Sequence, residues 1–248
     1  MIFDDFIRIA ETRGGCYLVL IDPDSKEREA LEDFTHRICE SGADGILVGG
    51  SLLLHAQYNE KLAIIKEAAT LPVVLFPGSP QQLSKHADAV LYLSLISGRN
   101  PNYLINDQVL GAPLIKRMDL EPISTGYMLI ESGHTTTAQF MSNTRPIPVE
   151  KPDIAMAHAL AAQYLGMQMV YLEAGSGARN PVPLETIKAV AEFVEIPLAV
   201  GGGIRKPAEA RRRIESGASF IITGNVLEKS GNEHLIQEFA DAVHVTES

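Results

Sequence analysis

The residues Tyr171-Leu172-Glu173-Ala174-Gly175-Ser176-Gly177 set a single carboxylate at the edge of a loop with almost no side chains. The apolar run Met169–Leu172 predicts a strand that delivers Glu173 into that loop. Backbone N–H groups of such a loop can close around an anion. Two similar strand ends follow, Leu198-Ala199-Val200-Gly201-Gly202-Gly203 and Phe220-Ile221-Ile222-Thr223-Gly224-Asn225. Glycine at a strand end most often only breaks the strand for a tight turn. Three successive units ending this way instead predict one phosphate cradle, centred on Gly175, Gly177, Gly201, Gly202, Gly203 and Gly224. Beside a cradle, Glu173 suits a general base or a hydroxyl-binding group; the competing use is a surface carboxylate paired with Arg179 or Arg205. Tyr171, two residues earlier, shares its side of the strand. It can bond the substrate, orient Glu173, or simply fill the interior.

A second oxygen cluster, Asp22-Pro23-Asp24, closes an earlier apolar run. Acids placed here can cap the following helix and favour its positive end, which accounts for Asp24 better than for Asp22. Asp22, at a strand tip, suits Mg²⁺, which takes one or two protein oxygens and leaves its other positions to water and substrate phosphates. Ser51, at the next strand tip, is the matching second oxygen. Arg99 can hold a second anion or be a solvated loop cation, and His134 lies in a long polar loop. Cys16 and Cys39 have no metal-ligand spacing and read as buried free thiols.

Positioning these residues takes eight strand-then-helix units. Expected strands are Cys16–Ile21, Gly45–Val48, Pro72–Phe76, Ala89–Leu95, Gly126–Ile130 and the three described above, mostly apolar as a covered parallel sheet requires. A further helix over Asp4–Thr12 precedes them. Expected helices between them are Lys26–Glu40, Leu53–Ala69, one reaching Lys116, Asp153–Leu165 with Asp153 as N-cap, Leu184–Val194, Pro207–Ser216 and Glu233–Val243. Ser132–Pro148 is the longest irregular segment. An internal echo aligns Glu40–Gly50 with Glu215–Asn225, each a helix end, a glycine turn and a buried strand with a glycine tip. With functional-looking residues at almost every strand's carboxyl end, residues 1–248 read as one α/β domain. The fold expected is a single (β/α)8 TIM barrel with an N-terminal extra helix and a long loop after strand 5, rather than a doubly wound open sheet.

The bulk composition agrees. A chain of 248 residues with 46% hydrophobic and 21% charged residues can bury a sizeable core. A formal charge of −10 without a basic tract argues against nucleic acid, whose phosphates need clustered Lys and Arg. No apolar run approaches a membrane span, and the amino terminus, with Asp4 and Asp5, is no signal peptide, so the cytoplasm is expected.

The chain resembles the geranylgeranylglyceryl phosphate synthase family, which includes the heptaprenylglyceryl phosphate synthases. The resemblance rests on LIDPDS (20–25), GADGILVGGS (42–51), SGRNPNYLI (97–105), YLEAGSGARNPV (171–182), VGGGIR (200–205) and TGN (223–225). The extended Ser132–Pro148 is similar to the family's longer subgroup. The resemblance implies a barrel that alkylates the 3-hydroxyl of sn-glycerol 1-phosphate with a polyprenyl (geranylgeranyl) diphosphate, releasing pyrophosphate in membrane ether-lipid biosynthesis. It further implies Mg²⁺ on Asp22 and Ser51. Tyr171, Leu172, Glu173, Ala174, Gly175, Ser176, Gly177, Gly202, Gly203, Gly224 and Asn225 would bind glycerol phosphate, with Glu173 and Tyr171 catalytic. A homo-oligomer is implied, with transient membrane contact for the lipid product. Some members carry lysine two residues before the first aspartate, where this chain has Leu20. An apolar groove for the tail has candidates in Leu93, Leu95, Ile96 and Tyr127, which are also ordinary barrel packing. Two other readings remain open on the residues alone: a sugar- or indole-phosphate isomerase or synthase, and a non-catalytic phospho-metabolite binder.

Overall fold

The computed structural model describes residues 1–25, 28–50, 57–228, 231, 232 and 234–245. Eight strands close in sequence order into one parallel barrel. They are β1 (Cys16–Ile21), β2 (Gly45–Val48), β3 (Val73–Leu75), β4 (Ala89–Leu95), β5 (Glu121–Leu129), β6 (Met169–Glu173), β7 (Leu198–Gly201) and β8 (Phe220–Thr223). β1 pairs with both β2 and β8, so the two modules of the internal echo flank the first strand. Alternation along each strand splits the core in two layers. Leu18 and Leu20 of β1 join the barrel interior, whereas Tyr17, Val19 and Ile21 face the helices.

The helices are α1 (Ile2–Arg13), α2 (Arg28–Glu40), α3 (Tyr58–Ala68), α4 (Asp107–Met118), α5 (Thr137–Ser142), α6 (Pro152–Tyr164), α7 (Leu184–Ala191), α8 (Pro207–Glu215) and α9 (Leu235–Val243). Helix α1 closes the floor of the barrel. Its Phe3 and Phe6 are buried, and the Phe3 ring stacks on Phe220 at 6.3 Å. Each such ring contributes about 1.5–3 kcal/mol by leaving water. The start of α1 is held from the sheet: the Glu121 carboxylate accepts the N–H groups of Ile2 (2.7 Å) and Phe3 (3.0 Å). A carboxylate at a helix N-terminus satisfies donors the helix cannot.

Several expectations are corrected. Between β3 and β4 stands only the three-residue 3₁₀ turn Pro80–Gln82, so the third unit has no α-helix. The Pro77-Gly78-Ser79-Pro80 run leaves too little chain before β4 to wind one. β5 begins at Glu121 rather than Gly126: Pro122 and Ser124 conceal the start of a strand that β4 nonetheless pairs from Glu121 to Tyr127. The segment 132–148 contains α5. Pro152 takes the first position of α6, with Lys151 as N-cap and Asp153 in the first turn. Cys16 is buried, as expected of a core thiol, but Cys39 is only half-buried. The expected helix starts at Lys26, Leu53 and Glu233 fall outside the described residues.

Helix α4 is preceded by a π-helical turn, Asn102–Asn106. Side chains of β4 bond carbonyls of the turn and of the start of α4: Ser94 Oγ donates to Leu104 O (2.8 Å) and Tyr92 OH to Gln108 O (2.7 Å). Such turns place the next helix off the usual register. Here α4 stands against the outer face of β4, beside the place a third helix would have filled.

Candidate active site

The tips of β6, β7 and β8 lie side by side, with Glu173 opposite Gly201 and Gly201 opposite Ile222. Ser176 Oγ donates to Asn225 Oδ1 at 2.9 Å, tying the loop after β6 to the loop after β8. Gly177, Gly203, Gly224 and Asn225 line one wall of a cavity of about 660 Å³ at the barrel mouth. The N–H groups of Gly177 and Gly203 make no backbone hydrogen bond among the described residues. Main-chain donors gathered in this way form an anion site. Leu172 and Ala174 turn into the helix-facing core instead, and they and Gly175 do not line the cavity.

Glu173 is the carboxylate of this wall. It lines the cavity, and its Oε1 accepts the Gly175 N–H at 2.6 Å. The close approach of the next strand requires glycine. At Gly202, with φ of 82°, any side chain would be driven into Glu173 Oε1. Burial raises the Glu173 carboxyl to about 7, against the pull of the Gly175 N–H and the nearby Tyr171 hydroxyl toward the charged form. Glu173 forms no ion pair with Arg179 or Arg205. The Arg205 guanidinium turns to the carbonyls of Ala178 and Arg179, the latter at 3.0 Å.

Tyr171 is both filler and cavity wall. Its ring stacks on Phe76 at 5.5 Å and meets Tyr127 edge-on at 5.4 Å. Its hydroxyl is buried beside Glu173 without a hydrogen-bond partner of its own. That geometry favours the charged carboxylate electrostatically but is not a hydrogen bond.

Asp22 lines the same cavity across from the cradle. Its Oδ1 accepts the Asp24 N–H at 3.0 Å. Burial raises its carboxyl from the ordinary value, opposed by that N–H and by Lys61, with the Asp24 charge adding to the rise. A side chain at Gly50 would stand 3.1 and 3.2 Å from the two Asp22 oxygens, filling the space in front of them. A hard carboxylate oxygen lining the cavity is a donor of the kind Mg²⁺ takes, so Asp22 fits the ion. Among the described residues no group of three or more His, Cys, Asp or Glu forms an all-protein cage. Ser51 lies outside the described residues. Lys61, which sequence reasoning missed, is buried under this loop with Nζ donating to Pro23 O at 2.8 Å. Its spacing within α3 gave no sign of that contact.

The cavity continues into an apolar arm. Leu93 on the inner face of β4 and Tyr92 on its outer face both line it, so it passes over the short β3 to the outside of the barrel. Leu95 and Tyr127 line it as expected, while Ile96 packs outside against Gly126. Its far walls come from Leu83, Gly111 and Ile115, and α5 adds Met141. None of these was singled out from sequence. The one available signal was the missing helix after β3.

Comparison with known proteins follows this geometry closely. The PcrB family matches residues 7–243 of the chain. A geranylgeranylglyceryl phosphate synthase of Chitinophaga pinensis is 46% identical over 243 residues, covering 98% of this chain and 96% of that protein. One of Thermococcus gammatolerans is 45% identical, covering 87% of this chain and 85% of that protein. The chain belongs to the PcrB family. A (S)-3-O-geranylgeranylglyceryl phosphate synthase of Thermoplasma acidophilum, solved with sn-glycerol-1-phosphate, superposes on this family member with a TM-score of 0.92. It is 32% identical, with 97% of each chain covered. A tryptophan synthase of Mycobacterium tuberculosis, at 15% identity and a TM-score of 0.62, shares the fold alone.

Two further residues weighed from sequence stay outside the cavity of this PcrB family member. Arg99 donates to Ile96 O and Gly98 O and lies 3.3 Å from His158 Nε2. His134 is exposed on the loop after β5. Neither reaches the cradle. Among the described residues no helix is long and apolar enough to cross a membrane.

Proposed function

We propose that this chain joins the 3-hydroxyl of sn-glycerol 1-phosphate to a geranylgeranyl diphosphate as an ether, releasing diphosphate. One observation carries the reading: a single cavity unites a glycine-lined anion wall, a buried carboxylate and an apolar arm. A phosphate isomerase would need no such arm.

In this reading the glycerol phosphate lies with its phosphate against Gly177, Gly203, Gly224 and Asn225, and its 3-hydroxyl toward Glu173. A carboxyl held near pH 7 is matched to taking up that proton. The C1–O bond to the diphosphate breaks with its electron pair leaving on the diphosphate. The hydroxyl oxygen bonds C1 and its proton passes to Glu173. Mg²⁺ held by Asp22 would neutralise the departing diphosphate. The apolar arm binds the tail and excludes water, which would otherwise compete as the acceptor. Ser51 remains the proposed second oxygen for the ion, and Leu172, Ala174 and Gly175 contribute backbone rather than side chains. The same reading includes a cytoplasmic homo-oligomer that meets membrane only to release product. Exposed Ile105, Val109, Leu110 and Phe140 support an association surface, which light scattering in solution tests directly.

The deciding experiment incubates the protein with sn-glycerol 1-phosphate, Mg²⁺ and farnesyl, geranylgeranyl or heptaprenyl diphosphate and looks for prenyl ether by mass spectrometry. Ether from the geranylgeranyl donor, abolished by EDTA, is expected. Absence of ether with every donor overturns the reading.

A further inference from the structure

The segment after β5 is pinned at its base, where Ile147 N–H donates to Leu129 O (2.8 Å) and Glu131 N–H to Ile147 O (2.9 Å). Beyond that pinch it touches both arms of the cavity. On one side Tyr103 OH donates to Met141 O (3.2 Å) and Asn100 Nδ2 to Ser142 O (3.0 Å), fastening α5 beside the start of α4. On the other, Asn180 N–H donates to Ser132 O at 3.1 Å, fastening the segment to the loop after β6.

Between these anchors sits Thr136, buried and outside the cavity lining. Its hydroxyl caps α5 by accepting the Gln139 N–H at 3.4 Å. A longer-than-usual bond of this kind holds little. The other side of Thr136 is packed on Gly175. A side chain on Gly175 would collide with Thr136 Cγ2 and come within 2.7 Å of its Cβ and Oγ1. Gly175 has φ of 100°, a left-handed conformation that other residues rarely hold. From there its N–H reaches Glu173 Oε1 at 2.6 Å. Glu173 Oε1 thus accepts from one main-chain donor, and the Cα of that glycine faces Thr136, whose Cγ2 is the nearest atom on that side.

We propose that Thr136 is a positioning residue for Glu173: its Cγ2 methyl props the Gly175 peptide so that the N–H stays on Oε1 and leaves the other oxygen to the substrate hydroxyl. This rests on the reading of Glu173 as the base. Small displacements of a catalytic group are costly, a 1 Å error reaching about a hundredfold in rate. A single methyl, braced against an otherwise pliable glycine, has leverage on that scale. The proposal also gives the segment after β5 a role beyond walling the apolar arm.

Two substitutions separate the prop from the cap. Thr136→Ser keeps the hydroxyl and removes the methyl; Thr136→Val keeps the methyl and removes the hydroxyl. With Thr136→Ser, kcat/KM is expected to fall on the order of tenfold. Its acid limb should move to higher pH, because a loosened N–H no longer favours the charged carboxylate. With Thr136→Val, the acid limb should stay at the wild-type position and kcat/KM should recover to within about twofold, while Tm drops slightly from the lost cap. Coincident profiles for wild type and Thr136→Ser overturn the proposal, as does a Thr136→Val profile displaced as far as that of Thr136→Ser. The carboxyl of Glu173 is also titrated without turnover, by carbon-13 NMR of glutamate-labelled protein, its signal assigned by loss in Glu173→Gln. That readout keeps the two ideas apart. Full turnover by Glu173→Gln removes the base assignment, whereas an unmoved Glu173 titration in Thr136→Ser removes the prop.

Discussion

Glu173 at the barrel mouth and Asp44 beneath the barrel are equally withdrawn from water, each 6% exposed. Asp44 is surrounded by donors. Its carboxylate accepts from the Tyr17 N–H (2.7 Å), from Arg13 (3.1 Å) and from His244 Nε2 (2.8 Å), joining β1, the end of α1 and the chain beyond α9. Glu173 has one donor, the Gly175 N–H, and an apolar floor of aromatic rings. Burial is therefore only partly offset at Glu173 and lifts its carboxyl to about 7. Equal burial with unequal partners separates a clamp from a reagent. A buried carboxylate with its acceptor sites filled is fixed in place, and one left short of donors gains a proton more readily.

Four measurements sharpen that contrast. Glu173→Gln is expected to lower kcat/KM by roughly 10²–10⁴, the range for loss of a general base, with the fold retained by circular dichroism. Asp44→Ala should do the opposite. Removing the centre of the clamp leaves the buried Tyr17 N–H and His244 without their acceptor and costs about 3 kcal/mol in denaturant unfolding. Activity per folded Asp44→Ala molecule should be unchanged.

The third measurement is of stability against pH. The folded Glu173 carboxyl titrates at about 7, and an unfolded glutamate at about 4.3. Between these values the folded state binds more protons than the unfolded state. Stability from this group is full below about pH 4 and is lost as pH rises through about 7, a decline of about 4 kcal/mol. Subtracting the Glu173→Gln curve from wild type should isolate it; a flat difference would show the carboxyl to be solvated. The smallest effect is expected for His244→Ala, which removes one donor while Tyr17 and Arg13 remain. A loss of about 1.5–3 kcal/mol in unfolding free energy is expected there, with no change in the pH dependence of turnover.

The cradle was legible in the sequence because it is made of short, local patterns. A glycine after an apolar strand says where a strand ends, and three in consecutive units predict neighbours once the strands close in order. Glu173 and Asp22 were legible for the same reason, each at a strand tip. Leu172 and Ala174 illustrate the limit: they share the motif, but alternation along the strand turns them away from the cavity. The full extent of β5 was hidden by Pro122, whose poor strand preference was overridden by pairing with β4.

Periodicity and strand-end residue types alone determined the barrel, its order and which rim opens into the cavity, since these depend on the chain's nearest neighbours. The open arm over β3, the brace of Thr136 on Gly175, the seat of Lys61 under the Asp22 loop and the unequal company of Glu173 and Asp44 were decided only by tertiary structure. Each depends on groups from elements far apart in the chain meeting within a few ångströms. Burial, and with it the protonation of a carboxylate, is a property of that meeting and not of any residue within it.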